Sequence, residues 1–169
     1  MQWRWARAHD TIDITGEGGA LATRKGYGGD YSWRSAVCGE VLQAEGEAYA
    51  EFTWVDGGSG LYVGVARAGV DPSSVSGGLS NTADGWMYAC SSGNYYHNGV
   101  SAKPWASGTK QAIKEGETVG LLLRQGSLSV YIEGKQVGTM VTGLAGQLVW
   151  ATDLNGNGSV RIARKPLPE

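Results

Sequence analysis

The sequence predicts an all-β chain folded as an antiparallel sandwich of two sheets, and three observations carry that prediction. Apolar and polar residues alternate along many short stretches, as where Ala50, Phe52 and Trp54 oppose Tyr49, Glu51 and Thr53, which is the period of a half-buried strand. Glycine-bearing turns separate these stretches at intervals of roughly eight to twelve residues, and about ten to thirteen strands follow from that spacing. No stretch has the period of a helix. With 28 glycines but only 4 prolines, the chain is punctuated by turns and is not a proline-rich disordered tract.

A chain of 169 residues fits one domain over 1–169, and its seven Trp and eight Tyr supply large buried areas for the core. Thr11–Thr15 places Ile12 and Ile14 on one side, and Gly16–Gly19 turns the chain towards Ala20–Thr23 as an opening hairpin. Gly26–Trp33 mixes glycines with aromatic rings, has no period, and reads as a loop. Ala48–Val55 is a strand. After the turn Asp56–Gly60, the residues Leu61, Val63 and Val65 alternate with Tyr62, Gly64 and Ala66. Ala68–Asp84 is aperiodic and forms the longest loop.

Trp86–Cys90 and Tyr95–His97 pair as a hairpin turning at Ser91–Asn94, a register that sets Cys90 opposite Tyr95 and His97 opposite Tyr88. Asn98-Gly99 closes it with a turn. Thr118–Arg124 and Leu128–Glu133 flank the turn Gln125–Ser127. Leu148–Thr152 and Ser159–Ala163 flank the loop Asp153–Gly158, and the polar tail 164–169 is expected to fray.

Several function classes fall away on composition. With Lys+Arg at 14, Asp+Glu at 16 and a net charge of −2, no basic stripe exists to follow phosphates, so nucleic acid is not an expected partner. No run of eighteen apolar residues occurs, and the opening MQWRWARAHD has no apolar signal-peptide segment. Neither a membrane partner nor secretion is therefore expected. Cys38 and Cys90 are the only cysteines and lack CxxC spacing, which reads as two buried thiols in a reducing, intracellular, cytoplasmic setting.

At the order of these strands the sequence resembles the SPRY family, the core of B30.2 domains. Tyr49–Thr53 is similar to the family's aromatic-rich strand, and Tyr62–Ala66 (YVGVA) to its "vGva" segment, again followed by a long loop and then by Gly85–Tyr88 (GWMY). Gly93–Gly99 (GNYYHNG), Gly116–Leu121 (GETVGL) and Leu128–Gly134 (LSVYIEG) with Gly138 resemble the hairpins that follow in family order. Glu117 stands where the family favours Asp, Val130 where it favours Phe and Glu133 where it favours Asn. The LDP-type motif of the PRY extension is absent, so a bare SPRY domain is expected.

The resemblance implies a concanavalin-like jelly-roll sandwich that binds a protein or linear peptide through loops at one end, as a recognition or scaffold part of assemblies such as ubiquitin ligases. Its site loops map onto 24–33, 68–83 and 153–158. The expected contact residues are Arg24, Tyr27 and Tyr31, then Asp71 and Ser74, then Asn155 and Asn157. Tyr offers rigid contact area, Asn bonds to peptide backbone groups, and Arg24 would pair with an acid on the ligand.

No catalysis is expected, because the two histidines, His9 and His97, have no nucleophile or carboxylate constellation around them. Glu51 shares its face with Tyr49 and Thr53 and reads as a solvent-side carboxylate. Asp153–Gly158 (DLNGNG) copies the first half of a calcium loop, but Arg164 stands where an EF-hand needs Glu, so no metal or other cofactor is expected. Trp33, Trp54, Trp86, Trp105 and Trp150 read as core. Carbohydrate-binding modules also stack sugars on exposed aromatic rings of β-sandwiches, which makes a lectin the alternative function.

Overall fold

Two eight-stranded antiparallel sheets face each other in the computed structural model, which describes residues 2–25, 32–57, 60–75 and 77–169. With strands numbered in chain order, the first sheet runs from β1 (Trp5–Ala8) through β4 (Arg34–Cys38), β15 (Gln147–Leu154), β7 (Leu61–Arg67), β8 (Gly85–Ala89) and β9 (Tyr95–His97) to β10 (Val100–Lys103). The short β5 (Leu42–Gln43) also pairs with β15. The second sheet runs from β11 (Ser107–Gly108) through β14 (Lys135–Val141), β13 (Ser127–Ile132), β12 (Thr118–Arg124), β6 (Glu47–Asp56), β16 (Ser159–Ala163) and β3 (Leu21–Arg24) to β2 (Ile12–Thr15).

Alternation decides which side chains meet between the sheets. Ala50, Phe52 and Trp54 of β6 join Val119, Leu121 and Leu123 of β12, and both face Val63, Val65, Trp86, Tyr88, Leu148 and Trp150 of the other sheet. Phe52 and Trp150 meet edge to face with ring centroids 5.8 Å apart, the arrangement the ring quadrupoles favour. Trp3 and Trp5 belong to this core, Trp3 edge-on to Trp150 at 6.1 Å. Trp54, Trp86 and Trp150 are buried as expected, whereas Trp33 and Trp105 are only half-buried.

The described residues form more strands than the turn spacing suggests, and the excess lies partly in β5 and β11, whose two residues each are too short to show a period. The β8–β9 hairpin also differs in register. Tyr88 pairs with Tyr95 and Trp86 with His97, because the turn takes in Cys90 and is closed by the Ala89 N–H donating to the Asn94 carbonyl. Neither residue of the expected Cys90–Tyr95 and Tyr88–His97 pairs therefore faces its partner.

The loop 68–84 does not stand off into solvent. It crosses the outer face of the first sheet, where Leu79 is wholly buried with Val37, Ala66, Met87, Val149 and Ala151, and Val70 and Val75 pack beside them. A 3-10 turn at Leu79–Asn81 carries that central contact. The tail 164–169 holds no strand, but the Arg164 guanidinium carbon lies 3.6 Å from the centre of the Trp3 ring and Leu167 packs on Tyr49, Leu122 and Tyr131.

Candidate functional site

Asp153 is placed by β15 rather than by a loop, since the strand runs through Leu154, and its side chain is fully buried. This corrects the reading of Asp153–Gly158 as one loop. Ser35, directly across in β4, donates its hydroxyl to the Asp153 carboxylate at 2.7 Å. The backbone N–H groups of Leu79 and Ser80 donate to the two carboxylate oxygens at 2.9 Å each. One carboxylate thus pins the long loop onto the sheet. Burial pushes its pKa above the ordinary carboxylate range, and the hydrogen bonds from Ser35, Ser80 and Leu79 oppose that rise.

Gly78 makes the approach possible. A Cβ there would lie 2.7 Å from a carboxylate oxygen of Asp153, and its φ of +86° suits glycine.

Beside this anchor three rings stack in a row on the same outer face. Trp33 lies on Tyr62 with centroids 4.2 Å apart and planes 15° apart, and Tyr62 lies on Tyr96 at 4.9 Å and 24°. The rings come from the β3–β4 loop, β7 and β9, and all three are half-buried. A cleft of 170 Å³ opens against them, walled by Gly77, Ser80, Asn81 and Gly99. The β9–β10 turn is tied to the long loop by the Gly99 N–H donating to the Ser80 carbonyl and the Asn98 N–H to the Thr82 carbonyl, both at 3.0 Å. Burial, then the neighbouring Tyr96, raises the Tyr62 pKa, so its phenol stays neutral at physiological pH.

The residues expected from the sequence fall into separate groups. Arg24 and Asn155 are buried, at 1 % and 8 % exposure. The Arg24 guanidinium donates to the Lys25 carbonyl, and its backbone N–H to the Gly158 carbonyl, which joins the start of the first loop to the β15–β16 turn. Asn157 is exposed on that turn and abuts Gly57, where a Cβ would meet the Asn157 carbonyl oxygen at 2.6 Å. Tyr27 and Tyr31 lie outside the described residues.

Asp71 and Ser74 are exposed at the other side of the sheet. The Asp71 carboxylate caps the Ser73 N–H at 2.9 Å, Ser73 reaches the Ala8 carbonyl, and Arg7 donates to the Val70 and Ala68 carbonyls. They border the β1 edge. The structure thus brings Arg24, Asn155 and Asn157 together and holds Asp71 and Ser74 apart from them. Sequence reasoning missed Tyr62 and Tyr96 and took Trp33 for core. The available signal was the alternation itself, which sets Tyr62 and Tyr96 on the side opposite the core residues Val63 and Tyr95.

Cys38 and Cys90 are free and buried, and burial pushes both thiols up, with Glu40 adding to the effect at Cys38. His97 stacks on Trp86 at 4.9 Å, and its Nδ1 is 2.8 Å from the Gly85 carbonyl, an acceptor that requires the proton on Nδ1. Among the described residues, no group of three or more His, Cys, Asp or Glu could hold a metal ion, and no helix is long and apolar enough to cross a membrane.

No protein-family model matches the chain, and no curated protein matches it. Solved structures do. The SPRY domain of human HERC1 is similar over 95 % of this chain and 97 % of its own, with a TM-score of 0.75 and 19 % identity. The PSpry domain of TRIM65 is similar over 98 % of this chain and 90 % of its own, with a TM-score of 0.70 and 15 % identity. Two antiparallel sheets in this arrangement, matched along almost the whole of both chains, give this protein the fold of SPRY domains.

Proposed function

We propose that the chain is a SPRY domain acting as a non-catalytic interaction module, which seats a peptide segment of a partner protein on the Trp33–Tyr62–Tyr96 row. The stacked row is the observation that carries this reading. Rigid rings cost little entropy when a ligand orders them, and a cleft walled by Ser80 and Asn81 sets polar groups beside them for the peptide backbone. In this arrangement Asp153 supports the site by fixing the wall. Arg24 and Asn155 hold the neighbouring loops, and Asn157, Asp71 and Ser74, with Tyr27 and Tyr31 from outside the described residues, are the further contact residues of this reading. The domain would serve as the recognition part of a larger assembly.

The test is a peptide library displayed on phage and selected on the intact domain, followed by affinity measurement on variants. Trp33→Ala or Tyr96→Ala should weaken the selected peptides by about tenfold or more, the usual effect of removing a central aromatic anchor. Asn157→Ala should weaken them less. Unchanged affinity in both aromatic variants would move the site away from the row. Selection of glycans in place of peptides on an array would favour the lectin.

A further inference from the structure

The second sheet has a site of its own on its outer face. Gly120 of β12 is paired with Glu51 of β6 on one side and Tyr131 of β13 on the other. Having no side chain, it leaves a pit into which the Tyr49 hydroxyl reaches, and a Cβ at this position would lie 2.1 Å from that oxygen. A cavity of 380 Å³ opens here, lined by Tyr49, Tyr131, Glu51, Glu117 and Glu133 as well as Gly120. The two tyrosines meet edge to face with centroids 5.7 Å apart, and the Tyr49 hydroxyl donates to the Glu51 carboxylate at 2.9 Å.

Shape and charge point the same way independently. The pit and its aromatic floor follow from Gly120 and the two rings, whatever the charges around them. The rim supplies three carboxylates and no lysine or arginine. Among the described residues none of the three carboxylates is in an ion pair. Glu117 also accepts the Lys114 backbone N–H at 2.7 Å, and a cation entering the cavity would meet the two tyrosines and these acids together.

We propose that this face docks a basic segment of a partner protein by taking an arginine side chain into the cavity. A guanidinium is flat enough to lie on a tyrosine ring while the donors along its edge reach two carboxylates at once. An ammonium is a point charge, more strongly hydrated, and can use only part of that arrangement. The site lies on the opposite sheet from the Trp33–Tyr62–Tyr96 row, so either can fail without the other.

The probe is a ten-residue glycine–serine peptide with two central arginines, titrated into the whole chain and followed by amide NMR shifts, beside versions carrying lysine or citrulline. The shifts should centre on Glu51, Gly120 and Tyr131. Citrulline, which keeps the planar shape without the charge, should bind at least about tenfold more weakly, and raising salt from about 50 to 300 mM should weaken the arginine peptide several-fold. Glu51→Gln combined with Glu117→Gln should weaken it by about tenfold.

Glu133 provides a control that separates folding from binding. It sits at a φ of 54°, a conformation that asparagine adopts more readily. Glu133→Asn should therefore raise the melting temperature and still weaken the arginine peptide. Citrulline or lysine peptides binding as tightly as the arginine peptide, shifts centred elsewhere, or full affinity in the Glu variants would overturn the proposal.

Discussion

A single buried carboxylate holds together parts of the chain that are 118 and 73 residues apart in sequence, since Asp153 accepts from Ser35 and from the Ser80 backbone. Removing one donor leaves a buried acceptor under-satisfied, so Ser35→Ala should cost about 1–3 kcal/mol in urea unfolding. The pH dependence follows from the raised pKa. Between the ordinary value of 3.8 and the higher folded value, the folded state keeps a proton that the unfolded chain has released. The stability contributed by this group is therefore greatest in acid and declines as pH rises through the folded pKa.

Asp153→Asn abolishes that slope. Its amide keeps an acceptor for only one of the Leu79 and Ser80 N–H groups and turns its NH2 towards the other, so the variant should be less stable than the parent, with a gap that narrows as pH rises from about 3 to 7. A gap that widens with pH would mean that the hydrogen bonds outweigh burial and hold the pKa below its ordinary value. The role of Asp153 was not legible in the sequence, because DLNGNG has the composition of a turn and the partners of its first residue come from distant strands.

Among the elements, the long loop behaves as a cover for the first sheet. Its Leu79 is wholly buried against that sheet, and Leu79→Ala should destabilise the fold by about 2–5 kcal/mol, the range for a truncated core leucine. Proteolysis of the native variant should then begin within 70–77, at a rate above that of the parent. Unchanged cleavage would show that the loop is held by Asp153 alone.

The strands that were legible are those with clear alternation, such as β6, β7, β12 and β13, and the hairpin ended by Asn98-Gly99. β1 (Trp5–Ala8) was not read as a strand, although Trp3 and Trp5 alternate with Gln2, Arg4 and Ala6. The register of β8 and β9 was not readable. The alternation Trp86-Met87-Tyr88-Ala89-Cys90 does not say where the strand stops, and moving the turn by two residues keeps every side chain on its own face.

For the whole molecule, the sandwich encloses both thiols, and burial raises both of their pKa values. Cys38 and Cys90 should therefore resist a disulfide-exchange reagent in the native state and react only as fast as the protein opens, a rate that should rise with urea. Rapid labelling without denaturant would show that the first sheet opens locally. Of the three expected site loops, 68–83 was legible as a loop, whereas 153–158 begins inside β15 and 24–33 begins with the last residue of β3 and runs through residues outside those described. The aromatic row was not legible, because stacking among Trp33, Tyr62 and Tyr96 depends on how the β3–β4 loop and two strands converge.

Hydrogen exchange with and without a library-selected peptide tests the central claim most directly. Seating on the aromatic row predicts slowed exchange over 77–81 and 96–99, with β12 and β13 unchanged. Protection confined to the second sheet, or none in 77–99 at saturating peptide, would contradict it.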